Sequence, residues 1–172
     1  MQTRILCYLL FILLIYFISG CTNPFAPSLN NNTDEGGGTI SDLTTIDGVF
    51  QNFQYSYTFK DTLIYGELLA GDFVFTYHDY DRGFDVSWGR DEEMRATDGL
   101  FKNSQRLDLI WNNIVLSTED SLSANIVRGF SLNVTLNPTD VPHADGRVNI
   151  SLRKNPETKK WHITRWIDES NF

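Results

Sequence analysis

Ala124-Asn125-Ile126-Val127-Arg128-Gly129-Phe130-Ser131-Leu132-Asn133-Val134-Thr135-Leu136 is the most strongly patterned stretch of the chain. Its even positions Ala124, Ile126, Phe130, Leu132, Val134 and Leu136 are apolar, whereas Asn125, Ser131, Asn133 and Thr135 are polar. Successive side chains of a strand point to opposite faces, so a period of two marks a strand with one face in the core. Arg128 interrupts the apolar row. It is expected either to bend to solvent past a neighbouring strand or to present a cation to an acidic ligand or buried carboxylate.

Working outward, Leu107, Leu109 and Trp111 alternate with Asp108 and Ile110 before this stretch, and Val148, Ile150 and Leu152 continue the pattern after it. Val141-Pro142-His143-Ala144-Asp145-Gly146 reads as a loop. Asn155-Pro156-Glu157-Thr158-Lys159-Lys160 reads as a hairpin turn, and Trp161 to Ile167 as a last strand ending before Asp168. Toward the amino terminus the period changes. Ile46, Val49, Phe50, Phe53 and Tyr57 recur at the three-to-four spacing of one helical face, after Thr44-Thr45. Leu63 to Ala70 predicts a short second helix, with Gly71 as a left-handed cap. Phe73, Phe75 and Tyr77 alternate as a strand, Asp79-Tyr80-Asp81-Arg82-Gly83 turns the chain, and a third helix is expected with Asp91 as N-cap and Glu92 and Glu93 in its first turn. Met94, Leu100 and Phe101 are expected to face the core. Helices first and long strands afterwards make an α+β architecture.

This order resembles the nuclear transport factor 2-like, or SnoaL-like, superfamily. The likeness runs from about Ser41 to Phe172. It rests on Tyr55-Ser56-Tyr57-Thr58-Phe59-Lys60-Asp61, Leu68-Leu69-Ala70-Gly71-Asp72-Phe73-Val74-Phe75, the helix after Trp88, and the closing Trp161-His162-Ile163-Thr164-Arg165-Trp166-Ile167-Asp168. The resemblance implies a cone: a curved antiparallel sheet wrapped around the N-terminal helices, with a cavity at its mouth. It also implies a cavity lined from the first helix, the strand after the second helix and the last strands. Tyr57, Tyr77, Trp88, Arg128 and Trp166 are therefore the candidate pocket residues, with His78 considered beside them.

Fold does not choose among the isomerases, dehydratases and non-catalytic binding modules that share this shape. Isomerase chemistry of the ketosteroid type needs a carboxylate base and a second acidic donor beside a tyrosine. Tyr57 can imitate the tyrosine, yet the apolar faces of the strands after Ala124 show no aspartate or glutamate. His78 with Asp79 or Asp85 would form a dehydratase-like pair, although adjacent turn residues are more often exposed. No two histidines have metal-ligand spacing, and no phosphate loop stands out, so no catalytic residue, metal or cofactor is assigned. The favoured reading is a non-catalytic domain that binds a small apolar ligand or a protein partner, with a homodimer through the outer sheet face considered. The alternative is a general acid/base enzyme on a small hydrophobic substrate.

The first residues carry a different message. Arg4 precedes an apolar run from Ile5 to Ile18. As a helix this run would cover about 21 Å of a hydrocarbon core roughly 30 Å thick, which suits a signal peptide rather than a span. Ile18-Ser19-Gly20-Cys21 resembles the lipobox of bacterial lipoproteins, which implies cleavage before Cys21 and acylation of its thiol. Residues 1–20 are thus read as signal peptide, 21–40 as a flexible tether rich in Asn, Pro and Gly, and 41–172 as the domain. Thr22 stands where an aspartate would favour inner-membrane retention in similar proteins, so the expected location is the cell envelope, lipid-anchored at the outer membrane, with the domain in the periplasm or at the surface. Cys7 and Cys21 are the two cysteines, so a mature domain would hold no disulfide. The chain carries 14 basic against 22 acidic residues, a net charge of −8, which argues against nucleic acid as a partner.

Overall fold

A computed structural model describes residues 41–170; the segments read as signal peptide and tether, with Cys21, lie outside the described residues. No helix among the described residues is long and apolar enough to cross a membrane. Helix α1 spans Ile46–Phe59. Thr45 is its N-cap, its hydroxyl accepting from the Gly48 N–H at 3.0 Å. The helix ends at Lys60, which adopts the left-handed conformation (φ 55) and donates its N–H back to the last turn. Gly48 is where the preceding turn folds against the helix. A Cβ there would lie 1.8 Å from the Asp42 carbonyl oxygen, so only glycine admits that approach.

Asp61 caps α2, Thr62–Leu68, by accepting from the Leu63 and Ile64 N–H groups. The expected glycine cap is corrected here: extended backbone begins at Leu69, and Gly71 is a residue of β1, Leu69–Asp79. The Leu-Leu-Ala run that looks helical is half strand because Leu69 and Ala70 are needed as buried residues of the sheet. Gly83 (φ 72) makes the turn into β2, Phe84–Gly89, a strand that the sequence reading passed over. Its side chains are mostly exposed, and it lies at a sheet edge, so no alternation betrays it. Helix α3, Arg90–Asn103, follows directly, with Gly89 rather than Asp91 as N-cap. Asp91 joins Glu92 and Glu93 in the first turn, where the helix dipole favours negative charge. Phe101 is buried, with Met94 and Leu100 packed against the core.

Four long strands complete the chain: β3, Arg106–Glu119; β4, Ser123–Thr135; β5, His143–Lys154; and β6, Trp161–Asp168. The segment read as a loop at His143 is already β5, because His143 to Gly146 pair with Phe130 to Asn133 of β4. All six strands form one curved, unclosed sheet in the order β2-β1-β6-β5-β4-β3. The pairings are antiparallel except for β1 with β6, which run parallel with Phe75 opposite Trp166. The helices pack on the inner face. Phe53 of α1 is the centre of the core: its ring stacks on Tyr57 at 5.1 Å and meets Tyr65, Trp111 and Trp166 edge-on at 5.4, 5.3 and 5.2 Å. Such offset and edge-to-face contacts add to the burial of large apolar surfaces. Two hydrogen bonds fix α1 on β3, from the Gln54 side chain to the Leu109 carbonyl at 2.8 Å and from Trp111 Nε1 to the Phe50 carbonyl at 2.9 Å.

Candidate functional site

The inner face of the sheet and helices α1 and α3 enclose a pocket of about 260 Å³. Its walls come from in-phase strand positions. Phe75 comes from β1, Leu109 and Trp111 from β3, Phe130 and Leu132 from β4, Ala144 and Val148 from β5, and Trp166 and Asp168 from β6. From the helices, Phe53, Tyr57, Glu93, Ala96, Thr97 and Leu100 close it. Trp88 at the end of β2 stacks on Phe75 with centroids 4.5 Å apart. A pocket of this composition is apolar over most of its lining, with a few polar groups in fixed places.

Glu93 is the buried carboxylate among those groups, 5% exposed. Its Oε1 accepts from the Tyr65 hydroxyl at 2.6 Å and from Thr97 Oγ1 at 3.1 Å, while Oε2 accepts from Trp88 Nε1 at 2.7 Å. The indole N–H can only donate, so the carboxylate is held by an array of donors. Burial first, then Glu93 and Asp168, push the Tyr57 phenol far above its usual range, which keeps it neutral. Burial likewise raises Tyr65, with Tyr57 and Glu93 adding to it. Asp168 accepts from the Ser170 N–H at 2.9 Å and its hydroxyl at 2.5 Å, both through Oδ1; Oδ2 accepts nothing among the described residues. Trp166 Nε1 is the one buried side-chain polar atom among the described residues that has no hydrogen-bond partner.

Of the five residues expected to line the pocket, Tyr57, Trp88 and Trp166 are brought together. Tyr77 stands beside them, its ring 5.6 Å from Trp88 and 6.2 Å from Phe75. Arg128 does not join them. Its guanidinium lies over the rings of Phe50 at 5.1 Å and Trp111 at 5.8 Å, and Nε donates to the Asn112 carbonyl at 2.9 Å. The cation that interrupts the apolar row thus caps the far side of the aromatic cluster. His78 pairs with Asp85 at 2.7 Å, on the opposite side of β1 from Tyr77 and exposed. His143 is held by Asn133 and Asp145 on the outer face. No histidine lines the pocket among the described residues.

The expectation that the late strands offer no carboxylate is corrected by Asp168. Strand β6 runs one residue further than expected, which puts Asp168 in phase with Trp166. Glu93 escaped notice for another reason: an acidic residue in a first helical turn already has an explanation in the dipole. Its spacing four residues before Thr97, on the face with Phe101, is the signal that could have placed it inside.

No protein-family model and no curated protein matches the sequence. Solved structures do match in shape. A conserved protein from Planctomyces limnophilus aligns with a TM-score of 0.63 at 15% identity, over 71% of this chain and 90% of that one. A nuclear transport factor 2-like superfamily protein from Salmonella enterica aligns with a TM-score of 0.57 at 14% identity, over 72% and 87%. The fold is nuclear transport factor 2-like. A candidate scytalone dehydratase from Novosphingobium aromaticivorans shares that fold with a TM-score of 0.63 at 14% identity, over 74% of this chain and 82% of its own. At such identities the nuclear transport factor 2-like likeness concerns backbone shape, and the pocket chemistry must be argued from this chain's own residues.

Proposed function

We propose that this chain is an envelope lipoprotein, anchored through Cys21, whose domain binds a small ligand with an apolar body in the Phe53–Trp166 pocket without transforming it. The observation that carries the binding reading is the state of Glu93. The buried carboxylate at the pocket is engaged on both oxygens by Tyr65, Thr97 and Trp88, which take three of its roughly four lone-pair sites, so it is committed to holding the pocket together more than to meeting a substrate proton. The aromatic walls supply contact area with rigid side chains, which favours binding because little conformational entropy is lost. Titrating the full-length chain with cyclohexanol, which does not fluoresce, and following tryptophan fluorescence tests this: Trp88, Trp111 and Trp166 all line the pocket and should report saturation. Ala144→Phe, which fills the pocket, should abolish the change. Saturation that survives this substitution, or no change in fluorescence, defeats the reading.

One observation supports an enzymatic alternative. Asp168, with Oδ2 unengaged among the described residues, lines a pocket that also holds neutral Tyr57, the pair that general acid/base chemistry requires. The candidate dehydratase with the same fold points the same way. Turnover of a bound small molecule that is lost in Asp168→Asn would favour this alternative over simple binding. The anchor has its own test. Metabolic labelling with radioactive palmitate should mark the wild-type chain and leave Cys21→Ala unlabelled and released from membranes; a labelled Cys21→Ala chain rules out the assignment.

A further inference from the structure

The pocket's charge pattern narrows the ligand class, and this inference rests on the binding reading above. Two carboxylates, Glu93 and Asp168, line the pocket, and no lysine, arginine or histidine does so among the described residues. Some acidic groups elsewhere have counter-charges, as Asp72 with Arg153, Asp98 with Lys102 and Asp108 with Arg106, and others, such as the exposed Asp120, meet solvent. Among the described residues Glu93 is held by uncharged donors alone and Asp168 by Ser170 alone. Aromatic rings carry negative electrostatic potential on their faces, so the walls add to the same sign. Arg128 shows the attraction at work, since its guanidinium is drawn over Phe50 and Trp111 from outside the pocket. A net charge of −8 on the whole chain favours the approach of cations and opposes that of anions.

A second observation is independent of charge. The Trp166 indole N–H is buried without a partner, and a buried donor left unmade is costly, so a turn of the ring toward an acceptor bound in the pocket it lines is favoured. Trp166 and Asp168 are two residues apart on one face of β6, so their side chains rise roughly 7 Å from one another. A ligand that satisfies both has a positive group for Asp168 and a hydrogen-bond-accepting oxygen a few bonds away for Trp166.

We propose that the pocket takes a small organic cation, an ammonium on an apolar body that also carries an accepting oxygen. The ammonium sits against the aromatic walls beside Asp168, and the oxygen accepts from Trp166 Nε1. Anionic and purely hydrocarbon ligands of the same size are disfavoured.

Three probes separate the parts of this assignment on the full-length chain, read by tryptophan fluorescence and calorimetry. Acetylcholine has both features, 3,3-dimethylbutyl acetate lacks the charge, and pentyltrimethylammonium lacks the oxygen. Acetylcholine should bind about tenfold more tightly than the uncharged ester, the size of a well-placed cation–π and ion-pair contribution. Pentyltrimethylammonium should bind several-fold more weakly than acetylcholine. Asp168→Asn should weaken acetylcholine by a similar tenfold and leave the uncharged ester unchanged. If the uncharged ester matches acetylcholine on the wild-type chain, the cation assignment is overturned while pocket binding stands. Equal binding of the two cations overturns the role of Trp166. If none of the three probes nor cyclohexanol changes the fluorescence, the binding reading falls with the inference.

Discussion

At Glu93 the cost of burying a carboxylate is offset by donors from α2, the end of β2 and its own helix, so this residue ties three elements together at the pocket floor. The partners differ in what they tolerate. The hydroxyls of Tyr65 and Thr97 can turn and accept, whereas the Trp88 indole cannot. Glu93→Gln can keep its carbonyl oxygen on Trp88 and offer its amide to the hydroxyls, and we expect it to cost about 1 kcal/mol. Glu93→Leu strands all of these donors and should cost about 3 kcal/mol. Urea denaturation of the two variants checks the difference, and equal losses would show that the hydrogen bonds are not what holds the site. At Gly48 the argument is steric. Gly48→Ala drives a Cβ into the Asp42 carbonyl and should cost about 2 kcal/mol or more, while Gly99→Ala, with nothing within 4 Å of the added atom, should stabilise α3 by up to about 1 kcal/mol. Thermal melts of both variants, read side by side, would expose an error in either sign.

Among the elements, legibility followed exposure. Strand β4 was plain in the sequence because its inner face is buried along most of its length, so polarity and period coincide. Helix α1 was plain for the same reason, its Val49, Phe50, Phe53 and Tyr57 all lying in the core. Strand β2 was not, since an edge strand of six residues with an exposed pattern leaves no trace in polarity. The boundary between α2 and β1 was misplaced because Leu69 and Ala70 suit either state, and tertiary burial decided. The site was half legible. Aromatic side chains announced a pocket, but Arg128 drew attention away from it and Asp168 was lost to a boundary one residue short. The left-handed residue in the β5–β6 hairpin gives a test at this scale. Lys159 (φ 61) adopts a conformation that suits glycine better, so Lys159→Gly should raise stability by about 0.5–1 kcal/mol, measured by chemical denaturation. No gain would mean that the Lys159 side chain contributes more than the backbone strain it causes.

For the molecule as a whole, acidity and a half-buried histidine set how stability changes with pH. Burial, then Lys160 and Arg153, hold His162 below its ordinary value of 6.5. The unfolded chain therefore binds a proton at this position before the folded one does. Between 6.5 and the depressed folded value the unfolded state holds more protons, so stability falls as the solution is acidified through that window. His162→Gln should flatten this part of the profile of denaturation midpoint against pH. An unchanged slope would assign the acid sensitivity to other groups. The carboxylates Asp42, Asp72 and Asp145 act in a lower window. Thr44, Arg153 and Ser131 respectively do most to hold them below the usual carboxylate range, so their support is present above that range and is lost as pH falls through the depressed values.

The parallel pairing of β1 with β6 also constrains time. On a chain made from its amino terminus, β1 leaves the ribosome long before the strand that must lie beside it, and the segment between them contains most of the sheet. Phe75 and Trp166, neighbours in one wall of the pocket, belong to that pair. Contacts so distant along the chain are entropically slow to close. The pocket is therefore expected to close at the end of folding, when the last strand slots in between β1 and β5, and a nascent chain without that strand would expose an unsealed aromatic cleft and two sheet margins.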